Sequence, residues 1–333
     1  MERIVYLSRT QTFAVLLVAL GHCTPANNDV LLNNPYWIWF TSFFCSSFDM
    51  PLFMFFSGFL YARSAPQKAP DYLNFIGQKT FKMLVPYFVL GTIGFAIKLL
   101  LSKYALRPVE YSFMAYLNGF IYPWQNPVIY LWFLPTLLII YSVLYPLKYV
   151  KNAVIRGLLF FILVILNLTQ PLADVAFLNI GGVLQYLVYF ATGFYFYELQ
   201  PRFSFLNSIP ALILSAIVLV TLNLYSVRAL LEPLLTKTGN ALLLAFTGIL
   251  FSISLGHLLS KKMFSSLAIY DGLYFCTYLL SWFVITGVKI GYQLNFFGQV
   301  VCIILTMILI LIIPLMAKKY IHHKFAKTVI GLR

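Results

Sequence analysis

A few side chains in this sequence sit where apolar surroundings make them costly, and they are the natural candidates for chemistry. His22 closes an apolar stretch, residues 8–24 (SRTQTFAVLLVALGHCT). A neutral imidazole can take a proton from a hydroxyl and pass it on. Arg9 begins the same stretch thirteen residues earlier, about 20 Å away on a helix, so the two cannot touch. It is either an anchor at the inner surface or a guanidinium that faces the bundle and grips an anionic group. Asp49 lies within a second apolar run, CSSFDMPLFMFFSGFLYAR. A carboxylate there needs a partner or a proton, and His22 is the candidate partner. Pro51 and the pair Ser57-Gly58 predict a bent or interrupted helix around it. Lys79 and Lys82, in FIGQKTFKMLVPYF, are three apart and share a helix face. They either anchor the entry of a third span or bind the phosphates of a nucleotide-like donor. Asp271 opens a late span near the inner surface, where a charge is cheap. His257, His322 and His323 also fall near that surface and receive no role.

Other chemistries lack their residues. The sequence has no glycine-rich phosphate loop, no paired metal-ligand motif and no lipase-type nucleophile elbow. The four cysteines, Cys23, Cys45, Cys276 and Cys302, lack metal-ligand spacing and read as small buried apolar residues.

The elements that must carry these residues follow from composition. Of 333 residues, 61% are hydrophobic and 10% charged, against about 25% charged in soluble proteins. So few charges cannot cover a water-soluble surface, and the class is an all-α polytopic membrane protein. The net charge of +14 does not indicate nucleic acid, because the basic residues sit in short loops between apolar runs. Ten such runs are expected as helices: roughly 6–24, 37–62, 80–102, 129–147, 154–170, 182–198, 207–226, 240–259, 266–287 and 296–317. A crossing needs about 20 residues. Residues 108–128 are apolar but broken by Pro123 and Pro127, which predicts an amphipathic or re-entrant segment. With the N-terminus inside, the outer basic residues are Lys98, Lys103, Arg107, Arg228, Lys237 and Lys289, and the other seventeen of 23 are inside. That bias predicts about ten transmembrane helices with N- and C-termini cytoplasmic. Apolar runs recurring along the chain without a fixed repeat predict one membrane domain, 1–317, with a basic cytoplasmic tail, 318–333; with no short apolar core followed by a small-residue cleavage site, the N-terminus reads as a retained first span instead of a signal peptide.

Four stretches, in order, resemble the acyltransferase-3 family of integral membrane O-acyltransferases. They are the first span ending in His22, MPLFMFFSGFLY at 50–61, KTFKMLVPYFV at 79–89 and YLWFLPTLLIIY at 130–141. The later half is similar in a more general way, in FATGFYF at 190–196 and SLAIYDGLYFCTYLLSW at 266–282. The resemblance implies transfer of an acyl group, usually acetyl from cytoplasmic acetyl-CoA, to a hydroxyl of a bacterial surface glycan. It maps the family's histidine onto His22. The family's arginine falls on Gln11, with Arg9 two positions earlier and about 200° round the helix. A later histidine of many members falls near Ser281.

The expected function is therefore O-acyl transfer at the cell inner (plasma) membrane. His22 is the base and Asp49 its orienting or charge-balancing partner. Arg9, Lys79 and Lys82 bind the acyl donor, and Trp124 and Trp132 face a sugar acceptor. No bound cofactor or metal is expected, and acyl-CoA is a co-substrate. The expected partners are a glycan or lipid-linked saccharide and the bilayer, without nucleic acid. The competing expectation is a transporter, flippase or export-complex component for a polysaccharide intermediate, since ten broken helices with few buried charges suit that too.

Overall fold

A computed structural model of the chain describes residues 4–23, 35–66, 68–104, 108–228, 237–289 and 296–332. Arg3, Thr24, Arg107 and Arg333, which enter the span and charge counts above, lie outside them. Among the described residues every regular element is helical. The chain divides into two compact units, Met1–Phe56 with Leu199–His322, and Ser57–Glu198 with His323–Arg333.

The first unit is built on α1 (Val5–His22). The short α2 (Pro35–Ile38) leads into a π-helical segment, Trp39–Cys45, and α3 (Asp49–Ser64) follows. The second apolar run is thus interrupted, as its sequence predicts, but the break falls before Asp49. Pro51 lies in the first turn of α3, where a missing N–H costs nothing. After the unit boundary in α3 the chain returns with α9 (Ile209–Arg228), α10 (Lys237–Leu259), a 3₁₀ segment Lys262–Tyr270, α11 (Tyr274–Lys289) and α12 (Phe296–Tyr320).

Helix α1 packs against α10, α11, α12 and the π-helical segment. Small residues make the closest of these approaches possible. Gly248, Ser252 and Gly256 recur every four residues on one face of α10, the spacing that lets membrane helices come close. A Cβ on Gly256 would lie 1.9 Å from Thr10 Oγ1 and 2.8 Å from the Tyr6 carbonyl oxygen. A Cβ on Gly248 would lie 2.1 Å from the Phe48 ring. Between them the Thr10 hydroxyl reaches the Ser252 carbonyl at 3.3 Å.

The second unit holds α4 (Ala69–Leu100), α5 (Phe113–Ile121), α6 (Phe133–Val143), α7 (Ala153–Thr169), α8 (Ile180–Leu199) and α13 (Lys324–Val329). Helix α4 starts at Ala69, well before the run expected at 80–102. Pro70 and Asp71 explain the early start, since both suit a first helical turn. Residues 108–128 contain the short α5, which stops ahead of Pro123, and a 3₁₀ turn at Pro123–Gln125; a second 3₁₀ turn, Ile129–Trp132, follows and leads into α6. The part of the expected basic tail that forms α13 packs against α4, with Val329 buried.

Among the described residues four helices are long and apolar enough to cross a membrane: Asp71–Leu100, Phe177–Asn207, Thr238–Leu259 and Val300–Tyr320. A fifth is added if Lys262–Tyr270 and Tyr274–Val288, bent by 61°, form one broken span. Shorter apolar helices cover Ile129–Val143, Ala153–Thr169 and Ile209–Tyr225.

The α1–α10 packing generates a stability prediction. Gly256→Ala should lower the unfolding free energy by about 1–3 kcal/mol, because backbone must move to admit the methyl. Gly157→Ala, where a Cβ meets nothing within 4 Å, should be neutral or slightly stabilising. Thermal unfolding of the purified variants in lipid checks both.

Candidate active site

The seven residues singled out from sequence divide between the units. Arg9, His22 and Asp49 belong to the first, and Lys79, Lys82, Trp124 and Trp132 to the second.

Helix α1 has a polar first half and an apolar second half, and both are largely buried. The polar half docks on the turn before α11. Arg9 is only 6% exposed, and its Nε lies 3.4 Å from Asp271 Oδ1, itself on a residue 9% exposed. Neither Arg9 Nε nor Nη1 makes a hydrogen bond, so the pair meets as buried charges. Asp271 is thus no surface charge: the turn through Gly272, with φ of 80°, folds it against α1. The Gly272 N–H donates to Ser8 Oγ at 3.1 Å and fixes that turn. One turn below, the Tyr6 ring stacks on His257 with centroids 4.0 Å apart. Gln11, on the position the family resemblance gives to arginine, is also buried.

His22 lies at the other end of α1 and is exposed. Its Nδ1 is 2.8 Å from the Val18 carbonyl oxygen. A carbonyl can only accept, so Nδ1 carries the proton and the neutral ring keeps Nε2 as its basic nitrogen. The backbone of the histidine's own helix thereby sets the tautomer. The adjoining Gly21 brings α1 against the π-helical segment, where an added Cβ would lie 3.1 Å from Ser46 Oγ and 3.6 Å from the Thr41 carbonyl oxygen. Asp49 is 3% exposed, and its Oδ1 accepts the Met50 N–H at 2.6 Å. Among the described residues the ion pairs are Arg9–Asp271 and Arg156–Glu198, and none joins His22 to Asp49.

In the second unit Lys79 and Lys82 lie about 15 and 20 Å into α4, counting 1.5 Å per residue from Ala69. They are not at its entrance, because the helix begins earlier than its apolar run. Lys82 is exposed. The Lys79 ammonium stands 5.1 Å from the Phe75 ring centroid and 5.3 Å from that of Tyr141, both attractive cation–π distances. The Tyr72 hydroxyl donates to the Tyr141 carbonyl and ties α4 to α6 beside it. Trp124 and Trp132 do come together, with rings stacked at 4.8 Å and 18°. Ser281, on the position of the family's later histidine, is buried in α11 and donates to the Tyr278 carbonyl. Among the described residues no three His, Cys, Asp or Glu side chains group so as to hold a metal ion.

The Arg9–Asp271 pair leads to a double-mutant prediction. Arg9→Met or Asp271→Leu alone should cost about 3–5 kcal/mol, since each strands a buried charge. The double variant should recover most of that stability, as read from thermal midpoints in lipid. The sequence profile of a family described as an acyltransferase domain matches residues 4–316. No curated protein and no solved structure matches the chain. With nearly its whole length matched and its helices apolar enough to cross a bilayer, the chain belongs to the acyltransferase-3 family and is a membrane acyltransferase.

Proposed function

We propose that this acyltransferase moves an acyl group, acetyl in the first instance, from cytoplasmic acyl-CoA to a hydroxyl of a cell-surface or lipid-linked glycan. The observation that carries the reading is His22. It is an exposed imidazole at the end of a largely buried helix, with Nδ1 on a carbonyl, in a chain that matches an acyltransferase family. His22 Nε2 accepts the proton of the acceptor hydroxyl as its oxygen attacks the thioester carbonyl. The carbon–sulfur bond breaks, the new ester forms, and the proton passes from the imidazolium to the departing CoA thiolate. Asp49, buried in the same unit, is the group assigned to balance the imidazolium charge.

The donor carries phosphates, and Lys79 and Lys82 of α4 are the cations assigned to it, Arg9 being committed to Asp271. Trp124 and Trp132 are assigned to the acceptor. In the bilayer the chain makes ten crossings with both ends cytoplasmic, as the charge bias argues. The membrane is the inner (plasma) membrane.

Mass spectrometry of surface glycans from cells with and without the gene should show a difference of one acyl group. His22→Ala should leave the protein folded and inserted while the acylation rate falls by about 10²–10⁴-fold, the usual contribution of a general base. Unchanged acylation in that variant would remove His22 from the mechanism. Identical glycans with and without the gene would remove the glycan as acceptor.

A further inference from the structure

The second unit contains a locked aromatic stack that an ordinary membrane-interface tryptophan does not need. Trp124 is 49% exposed, on the 3₁₀ turn after α5. One face of its indole lies on Trp132, which is 6% exposed and stacks in turn on Tyr186 of α8 at 5.5 Å. The indole N–H donates to Asn179 Oδ1 at 2.9 Å. Asn179 Nδ2 donates to Thr136 Oγ1 at 2.7 Å, and the Thr136 hydroxyl donates to the Trp132 carbonyl at 2.8 Å. A single asparagine, 4% exposed, therefore joins the hydrogen-bond networks of both tryptophans.

The backbone is shaped around this asparagine. Leu178 and Asn179 have φ of 48° and 57°. Asparagine tolerates that left-handed region, but leucine does so only at a cost. Gly182 leaves room for the amide, since a Cβ there would lie 2.4 Å from Asn179 Nδ2. Strained backbone, a required glycine and a buried polar chain converge on the orientation of one half-exposed ring. An interfacial anchor tryptophan does the reverse, turning its N–H toward the headgroups. Here the N–H is spent inside the protein, one ring face lies on Trp132, and about half of the side chain stays exposed.

We propose that the exposed face of Trp124 is a stacking platform for a pyranose ring of the acceptor, and that Asn179 is the positioning residue that fixes it. The proposal deepens, and rests on, the reading of a glycan acceptor. A pyranose presents several C–H bonds on one side, and their positive ends are drawn to the negative face of an aromatic ring. Holding the ring in one orientation before the sugar arrives removes an ordering cost from binding.

The test uses the full chain in lipid nanodiscs free of maltoside detergent. Saturation-transfer NMR is recorded with cellobiose, chitobiose and lactose as probes, alongside acylation kinetics with the glycan acceptor. The native protein should transfer magnetisation to ring C–H protons of one sugar face for at least one probe. Trp124→Ala should abolish that transfer and raise the acceptor KM about tenfold with kcat unchanged, a loss of about 1.4 kcal/mol. Trp124→Phe, which keeps a ring but loses the N–H, should fall between. Asn179→Ala should raise KM in the same direction without changing kcat. A folded fraction of Asn179→Ala with native KM overturns the positioning role. Trp124→Ala with native transfer and native KM overturns the platform, as does Trp124→Ala that shifts only the thermal midpoint, which marks an interfacial anchor. Trp124-dependent sugar binding in a protein that acylates no glycan would keep the platform and remove the glycan-acylation reading. Acylation that ignores Trp124 would do the opposite.

Discussion

A guanidinium buried in a membrane protein has to be answered by an anion, and Arg9 is answered by Asp271. Burying either charge alone would cost several kcal/mol, so α1 cannot rotate or slide without bringing the turn before α11 along. The neighbouring bonds agree with that constraint. Ser8 accepts from Gly272, Thr10 reaches Ser252, and Tyr6 stacks on His257. These contacts fix the register of α1 along its polar half, while the apolar half fills the core of the first unit.

Fixing one end of a rigid helix fixes the other. His22 closes the same α1, some 20 Å from Arg9 at 1.5 Å per residue. Its ring is oriented by the Val18 carbonyl of that helix. The imidazole thus inherits its position from α1, and the backbone of its own helix sets its tautomer. The small-residue face of α10 serves the same end, because Gly256 lets the two backbones approach at Thr10 and Tyr6. A histidine meant to handle protons gains from such a mount, since general-base chemistry depends on reach as much as on basicity.

The helical class, the helix ending in His22, the break in the second apolar run and the family were legible in the sequence, because each is written in local pattern. Partnerships across the fold were not. Asp271 lies near the start of a late apolar run and reads as a cheap surface charge; only the turn at Gly272 makes it the counter-ion of Arg9. Lys79 and Lys82 looked like residues at a helix entrance because the apolar run starts there, whereas Pro70 and Asp71 start the helix earlier. Asn179 resembles any loop asparagine until Trp124, Thr136 and Gly182 are seen around it. Hydropathy reports which segments avoid water, but a single buried amide or carboxylate leaves no periodic trace.

The division of the chain has a consequence for how the protein is made. Each unit is assembled from two separated pieces of sequence, and the second unit includes α13, which begins at Lys324. The first unit waits for residues up to His322 and the second for residues beyond it. Domains commonly fold in order as they leave the ribosome, but here neither unit is complete until the segment around 320–330 has been synthesised. Early helices, the polar half of α1 among them, must be inserted and then held unpaired while about 300 residues follow. Contacts this far apart in sequence form slowly, which makes biogenesis, as much as final stability, the stage at which changes at Arg9 or Asp271 would be felt.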